Sequence, residues 1–294
     1  MATRTTEELH EDARGLDGLP PERIAAVLIR AQAKASSAVV TAEAALAEGA
    51  RAMARSVEVG GRLVYAGAGS AGLMAAADAL ELSGTFGIDA DRITVAMAGG
   101  QPKGSDMPGG TEDDVAEVEE HACKLTPNDT VIAVSASGTT PYTVAFAKGA
   151  AAAGATVIGV ANSPGAELFN HSSVAVHLPT PPEVVAGSTR LGAGTAQKIA
   201  LNTMSTIMGV LLGHVHDGMM VNVRADNAKL RARAAGMVAA ISGASERAAE
   251  SALSTAEGDV KTAVLVAAGA PSPDVARAAL EETGGRLRAA LARL

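Results

Sequence analysis

The sequence predicts a doubly wound parallel α/β sheet with flanking helices, followed by a small all-helical C-terminal domain. Short segments that are apolar throughout alternate with helical segments between residues 60 and 235, and an internal repeat follows. Strands that are apolar on both faces are typical of a parallel sheet that helices cover on both sides. In such sheets, ligands bind at the carboxyl ends of the strands.

Each predicted element follows from a local pattern. Apolar residues recur at helical spacing over 23–35 and 39–55, which predicts N-terminal helices within residues 1–59 that pack on the core. The pattern changes after Gly60 and Gly61, and the α/β domain is expected over 60–235. Its predicted strands are 62–66, 92–97, 130–134, 156–160 and 174–178. Its predicted helices are 73–82, 114–124, 141–153 and 197–212.

The C-terminal residues 236–294 contain two copies of one pattern. Matched residues lie 27 positions apart, and each copy is expected to form a helix, a glycine-closed turn and a second helix. The matched pairs include Ala249 with Ala276, Leu253 with Leu280, and Gly258 with Gly285. We expect this domain to serve packing or assembly.

The composition limits the classes of function. The chain of 294 residues carries a net charge of -8, no Trp and one cysteine. Nucleic-acid binding needs clustered basic residues, and none are visible, so no nucleic acid is expected as a partner. No signal-peptide segment and no run of roughly 20 apolar residues is visible, and a lone cysteine fits a reducing compartment. A cytoplasmic protein with no membrane partner is expected.

The first of three glycine- and hydroxyl-rich loops contains Gly67-x-Gly69-x-x-Gly72 after a predicted strand. This matches the dinucleotide fingerprint, which also needs an acidic residue at the end of the next strand. That strand ends in Met97-Ala98-Gly99-Gly100, so a nicotinamide cofactor is disfavoured. The loop is either a turn whose amides hold an oxyanion or a turn needed only for packing.

The second loop, Ser135-Ala136-Ser137-Gly138-Thr139-Thr140, is the stronger signal. Several hydroxyls and a glycine between a strand and a helix can surround a phosphate with O–H and N–H donors. The loop lacks a Walker lysine, which favours a phosphate ester on a small substrate over a nucleotide. The alternative is a serine-rich turn that only caps the helix.

The third loop runs from Val184 to Lys198 and is expected to lie on the N-terminus of the helix that begins at Gln197. Free backbone amides and the positive end of the helix dipole would suit an anionic small molecule there.

Two glutamates are candidates for acid–base chemistry. Glu81 ends a predicted helix, where an acid opposes the helix dipole. Glu112 follows Thr111, which could simply cap the next helix. His214 and His216 have no third ligand at metal spacing, so a zinc site is disfavoured.

These motifs together resemble the N-acetylmuramic acid 6-phosphate etherases, within the sugar isomerase (phosphosugar-binding) superfamily. The resemblance covers essentially the whole chain, including the C-terminal repeat. It is carried by segments 65–72, 110–114, 135–142, 187–198 and 227–231.

The resemblance implies an enzyme that removes the D-lactyl ether from the amino sugar phosphate without a metal or cofactor. It implies that Glu81 protonates the departing lactate oxygen and that Glu112 takes the proton from carbon 2. It also implies a homodimer with the site near the subunit interface. The predicted substrate- and phosphate-binding residues are Gly69, Ser70, Ser135, Ser137, Gly138, Thr139, Thr140, Ser188, Thr189 and Lys198.

The chain departs from the family pattern at four places. Leu82-Ser83-Gly84 replaces Cys-Pro-Pro, Thr139 replaces an arginine, and Gly192 replaces a lysine or similar residue. Near the N-terminus, the family's Thr-Glu-x-Arg-Asn-Pro becomes Thr6-Glu7-Glu8-Leu9-His10-Glu11, so that Leu9-His10-Glu11 replaces Arg-Asn-Pro. Two alternatives therefore stay open: an aldose–ketose isomerase that uses the same proton abstraction, and a non-catalytic phosphosugar sensor.

Overall fold

The first part of the fold is a five-stranded, all-parallel sheet. The computed structural model describes residues 5–107, 110–223 and 227–294. The strands lie in the order β2-β1-β3-β4-β5, which confirms the predicted doubly wound α/β class. They are β1 Leu63–Gly67, β2 Ile93–Met97, β3 Thr130–Ser135, β4 Thr156–Ala161 and β5 Val174–His177. The strand order reverses between β1 and β3, where β1 pairs with β2 on one side and β3 on the other.

Helices flank this sheet, and its central strands are therefore buried throughout. Every residue of β1 and β3 is buried. Helix α2 packs against β1, β3 and β5, and α5 packs against β1, β3 and β4. The helices that begin in this part of the chain are α1 Pro21–Ser37, α2 Glu43–Glu58, α3 Gly69–Phe86, α4 Ala116–Ala122, α5 Pro141–Ala152 and α6 Gly192–Leu211.

The core is built by close approach of backbones, as its alanine-rich composition favours. A Cβ placed on Gly49 of α2 would lie 2.8 Å from the Met204 sulfur and 3.4 Å from Ile158 Cδ1. Glycine at this position therefore lets α2 lie close to the sheet and to α6. On the other face, Phe146 and Ala147 of α5 pack in the same cluster as Val131.

Two helices begin earlier than the sequence predicts. Helix α3 begins at Gly69, inside the glycine loop, and α6 begins at Gly192 instead of Gln197. Glycines at these starts resemble loop residues in the sequence. The Gly72 amide, however, already donates to the Ala68 carbonyl at 2.9 Å, so the chain turns directly from β1 into the helix.

The contacts divide the chain into two compact units. The first comprises Met1–Ala79 and Asp91–Ser205, and the second comprises Leu80–Ala90 and Thr206–Leu294. The predicted domain limits at 59/60 and 235/236 stay predictions. The second unit contains the hairpin strands β6 Val215–His216 and β7 Met219–Met220, and the helices α7 Ala228–Ser242, α8 Glu246–Thr255, α9 Val260–Ala267, α10 Pro273–Glu282 and α11 Leu287–Leu291.

The C-terminal repeat forms the two predicted pairs of helices. Helices α8 and α9 are joined through Gly258, and α10 and α11 through Gly285, with φ angles of 86° and 72°. The matched alanines Ala249 and Ala276 are both fully buried. The helical nature of the repeat is therefore confirmed.

One stretch of helix is apolar and long. By length and composition alone, Pro21–Glu58 could cross a membrane, and 17% of its most apolar segment is buried. A 3-10 turn, Ala38–Ala42, interrupts it between α1 and α2. The face of α2 that contacts the sheet carries buried residues such as Leu46 and Met53.

Candidate active site

A cleft lies where the strand order reverses, at the carboxyl ends of β1 and β3. This is the position at which open α/β sheets bind ligands. The cleft has a volume of about 580 Å³. Its lining comprises Thr6, Glu7, Ala68, Gly69, Ser70, Ala71, Leu73, Met107, Glu112, Asp113, Ser135, Ala136, Ser137, Thr139, Thr140, Pro141, Gly187 and Thr189.

The serine loop after β3 is held by its own hydroxyl groups. The Ser135 and Thr140 hydroxyls lie 2.8 Å apart, and the Gly138 amide donates to Ser135 Oγ at 3.0 Å. Ser137 Oγ accepts from the Thr139 amide at 3.2 Å and from the Thr139 hydroxyl at 3.1 Å. The loop thus presents a fixed set of hydroxyl groups to the cleft.

Glycine is required at position 138 for two reasons. Its φ of 68° lies in the left-handed region, and a Cβ there would clash with the Ala166 Cβ. Gly138 is buried and is not part of the cleft lining. It acts by allowing the tight turn that brings Ser137 and Thr139 into the cleft.

The positive potential in the cleft comes from helix ends, while the lining also holds the carboxylates of Glu7, Glu112 and Asp113. Among the described lining residues there is no lysine or arginine. Helix α3 begins at Gly69 and α5 begins at Pro141, and both residues line the cleft. The positive ends of two helix dipoles are therefore available to an anion here in place of cationic side chains.

Glu112 enters the cleft from the 3-10 turn Thr111–Asp113, which Gly110 precedes with a φ of 72°. Its Oε1 lies so close to Gly69 that a Cβ on that glycine would collide with it. Glu112 is therefore packed against the start of α3, next to Ser70. A carboxylate so placed can take a proton from a substrate held in the cleft.

Glu81 is exposed, and it is not among the residues that line the cleft. It lies on the segment of α3 that groups with the second unit. Three residues earlier on α3, Asp78 is buried and accepts from three side chains: Tyr65 at 2.8 Å, Asn202 at 2.6 Å and Ser205 at 2.9 Å. Burial, and then the charge and hydrogen bond of Asp78, raise the pKa of Tyr65 well above its ordinary value.

Sequence reasoning missed Asp78, which fixes the middle of α3 to β1 and α6. The signal was a lone aspartate in an otherwise apolar helical segment, Leu73 to Leu80. A buried carboxylate is stable only when its oxygens are hydrogen-bonded, as they are here.

The N-terminus of α6 does not offer free amides to an anion, so that prediction is wrong. The buried carboxylate of Glu183 accepts from the Gly192 and Ala193 amides, both at 2.8 Å. The Gly194 amide donates to the Thr189 carbonyl oxygen at 2.8 Å. An internal glutamate thus occupies the position that the sequence assigned to the ligand.

The structure places only some of the predicted binding residues of this third loop in the cleft. Thr189 and the neighbouring Gly187 line the cleft, whereas Ser188 and Lys198 do not. Lys198 is exposed. The preceding Gln197 is buried and donates to the Asn162 amide oxygen at 2.9 Å, and Asn162 donates to Thr180 at 3.2 Å. Gln197 therefore fixes α6 to the end of β4.

The described residues contain no group of three or more His, Cys, Asp or Glu side chains arranged to hold a metal ion. The polar groups that the cleft presents are instead hydroxyls, backbone amides and carboxylates.

Comparison with known proteins shows the class of fold to which the chain belongs. Residues 29–162 match the family model of the SIS domain. Among solved structures, a protein of Escherichia coli CFT073 aligns with a TM-score of 0.51 at 16% identity, over 68% of this chain and 97% of that one. A Listeria monocytogenes protein assigned as a sugar-phosphate isomerase aligns with a TM-score of 0.50 at 16% identity, over 66% of this chain and 93% of that one. These likenesses establish the SIS fold.

Curated relatives define the family within that class. An N-acetylmuramic acid 6-phosphate etherase of Deinococcus radiodurans is 43% identical over 98% of this chain and 95% of its own length. One of Streptomyces avermitilis is 39% identical over 99% and 94%, respectively. One of Rubrobacter xylanophilus is 37% identical over 97% and 95%. The chain belongs to the N-acetylmuramic acid 6-phosphate etherase family.

Proposed function

We propose that this chain cleaves the D-lactyl ether of N-acetylmuramic acid 6-phosphate with water, giving N-acetylglucosamine 6-phosphate and D-lactate. The observation that carries the proposal is the cleft, which combines a hydroxyl loop suited to a phosphate ester with the carboxylate of Glu112. Relatives that match over nearly their whole length bear the etherase name.

The phosphate binds at the serine loop. Ser137 and Thr140 donate from their hydroxyl groups, and the N-termini of α3 and α5 supply positive potential. Ser135 and Thr139 hold these hydroxyls in place through the bonds within the loop. The sugar extends from there towards Ser70 and Thr189, with Ser188 and Lys198 as further predicted contacts.

The reaction then proceeds by elimination and addition on the opened sugar. Glu112 takes the proton from carbon 2, a carbon–carbon double bond forms, and the bond from carbon 3 to the lactyl oxygen breaks. The family resemblance assigns the acid to Glu81, which lies outside the cleft of the single chain; in this assignment Glu81 gives its proton to that oxygen, which leaves as lactate. Water adds its hydroxyl to carbon 3 and a proton returns to carbon 2, so the atoms balance. The etherase function does not depend on this assignment of roles to Glu81 and Glu112.

The test is D-lactate release from N-acetylmuramic acid 6-phosphate by the purified protein. Glu81→Gln removes the proton that the leaving oxygen needs and should lower release by about 10²–10⁴-fold. Glu119→Gln changes an exposed glutamate of α4 outside the cleft and should leave release unchanged.

Normal turnover by Glu81→Gln would refute its role as the acid. A wild-type protein that forms a ketose phosphate without lactate would instead be an isomerase. A wild-type protein that binds the sugar phosphate but exchanges no proton at carbon 2 with solvent would be a sensor.

We propose further that the protein is a cytoplasmic homodimer. The single cysteine, Cys123, is free and exposed, which fits a reducing compartment. Apolar side chains of the N-terminal helical stretch are uncovered in the single chain, including Ile29 at 66% and Val40 at 64% exposure. A second copy of the chain is the partner that we assign to this surface.

A further inference from the structure

The N-terminal turn Thr5–Glu7 forms part of the cleft wall. The Gly187 amide donates to the Thr6 carbonyl at 3.0 Å, and Thr6 is buried. This backbone bond ties the start of the chain to the third loop. The segment therefore belongs to the folded cleft and brings its own side chains to it.

Glu7 lies beside this hydrogen bond between Gly187 and Thr6. Its Oε2 is 3.6 Å from the position that a Cβ on Gly187 would take. The Thr6 hydroxyl donates to Glu7 Oε1 at 3.5 Å, a long bond that leaves most of the acceptor capacity of the carboxylate unused. In the part of the chain that the structure describes, Glu7 forms no ion pair.

The chemistry of the lining shows what such a carboxylate can bind. Ser135, Ser137, Thr139 and Thr140 offer hydroxyl donors. Glu7 offers only acceptors when ionised, and with no described lysine or arginine in the lining it repels a phosphate. A sugar phosphate carries both an anion and hydroxyl donors, so its hydroxyl groups are the natural partners of Glu7.

We infer that Glu7 is a specificity-determining residue that accepts hydrogen bonds from hydroxyl groups of the sugar, while the serine loop holds the phosphate. This inference rests on the proposed function, because it takes a phosphorylated sugar as the occupant of the cleft. Recognition of the sugar then falls to an N-terminal turn that keeps the Thr-Glu of the family pattern, and the departure from that pattern begins two residues later, at Leu9.

The test compares two ligands by isothermal titration calorimetry: N-acetylglucosamine 6-phosphate and inorganic phosphate. Glu7→Gln keeps the shape of the side chain but loses a charged acceptor, so it should weaken sugar phosphate binding by about 10-fold to 100-fold. Its affinity for inorganic phosphate should not fall. Ser137→Ala should weaken binding of both ligands.

Glu8→Gln is the matched control. Glu8 is exposed, adjacent in sequence and outside the cleft lining, so this variant should bind both ligands like the wild type. Glu7→Ala provides a second variant, and unchanged melting temperatures would show that both variants are folded. Wild-type affinity of Glu7→Gln for the sugar phosphate, or an equal loss for both ligands, would overturn the inference.

The outcomes separate this inference from the proposed function. A wild-type protein that binds the sugar phosphate but releases no lactate refutes the etherase activity, and the Glu7 variants still test sugar recognition. A wild-type protein that binds N-acetylglucosamine 6-phosphate no better than inorganic phosphate overturns the inference about Glu7. Lactate release by that same protein would leave the etherase activity standing.

Discussion

Glu112 and Gly69 act as a pair. The carboxylate can occupy its position in the cleft only because Gly69 has no Cβ, and Gly69 begins α3 with a φ of 53°. The same glycine therefore permits the turn after β1 and leaves room for the proposed base.

Gly69→Ala should displace Glu112 and lower D-lactate release by about 10²-fold, since small misplacements of a reacting group have effects of that size. The left-handed backbone should also cost about 1–2 kcal/mol of stability. Both effects can be measured by steady-state kinetics and thermal unfolding.

Gly100→Ala is the control that separates these effects. Gly100 has a φ of 81°, but a Cβ there would meet nothing within 4 Å. This variant should lose comparable stability and keep its activity. Equal activity of the two variants would show that contact between Gly69 and Glu112 has no catalytic consequence.

At the scale of elements, buried carboxylates join the helices of the first unit. Glu183 caps α6, and Asp78 holds α3 against β1 and α6. Both groups bind within the protein, and neither lines the cleft. The order of the helices around the cleft thus depends on polar contacts that a hydrophobic pattern does not reveal.

In the second unit, His214 lies in a position that favours its neutral form. Burial, and then the nearby charge of Lys261, lower the pKa of His214 to about 4, against a weaker opposing effect of its hydrogen bond with the Phe86 backbone. Its Nδ1 is buried without a hydrogen-bond partner among the described residues. Protonation would therefore place an additional charge beside a buried lysine.

This shift makes stability depend on pH. Below its ordinary pKa of 6.5, His214 takes a proton in the unfolded chain but not in the folded one, until the pH reaches about 4. Its contribution to stability is complete above pH 6.5 and falls as the pH drops towards 4. His214→Gln should show a smaller fall in melting temperature across this window, and an unchanged slope would contradict the assignment.

At the scale of the whole molecule, the N-terminal helical stretch exposes apolar surface. Its most apolar window is only 17% buried. Exposed apolar patches on soluble proteins often mark interfaces. The proposed homodimer would cover this surface.

Ile29→Asp would place a charge in that interface and should convert a dimer into a monomer, as measured by light scattering after gel filtration. Val275→Asp, at a side chain that is 46% exposed on α10, should leave the dimer intact. Retention of the dimer by Ile29→Asp would remove this stretch from the interface.

The sequence by itself determined the class of fold and the family. Its five apolar strands, the serine loop and the C-terminal repeat are local patterns, and a local pattern can be read without knowing what lies beside it in space. The predicted strands differ from β1 to β5 by only a residue at their ends. Helix starts were less predictable, because a glycine such as Gly69 is typical of both a loop and a tight turn into a helix.

Only the tertiary structure decided which polar groups line the cleft and which bind within the fold. The sequence pattern assigns the amides of α6 to an anion, but in the structure they donate to Glu183, nine residues before Gly192. Glu7 lies far along the chain from Glu112, yet both line one cleft. Such pairings follow from the spatial order of the strands. They cannot be predicted from the spacing of residues along the chain.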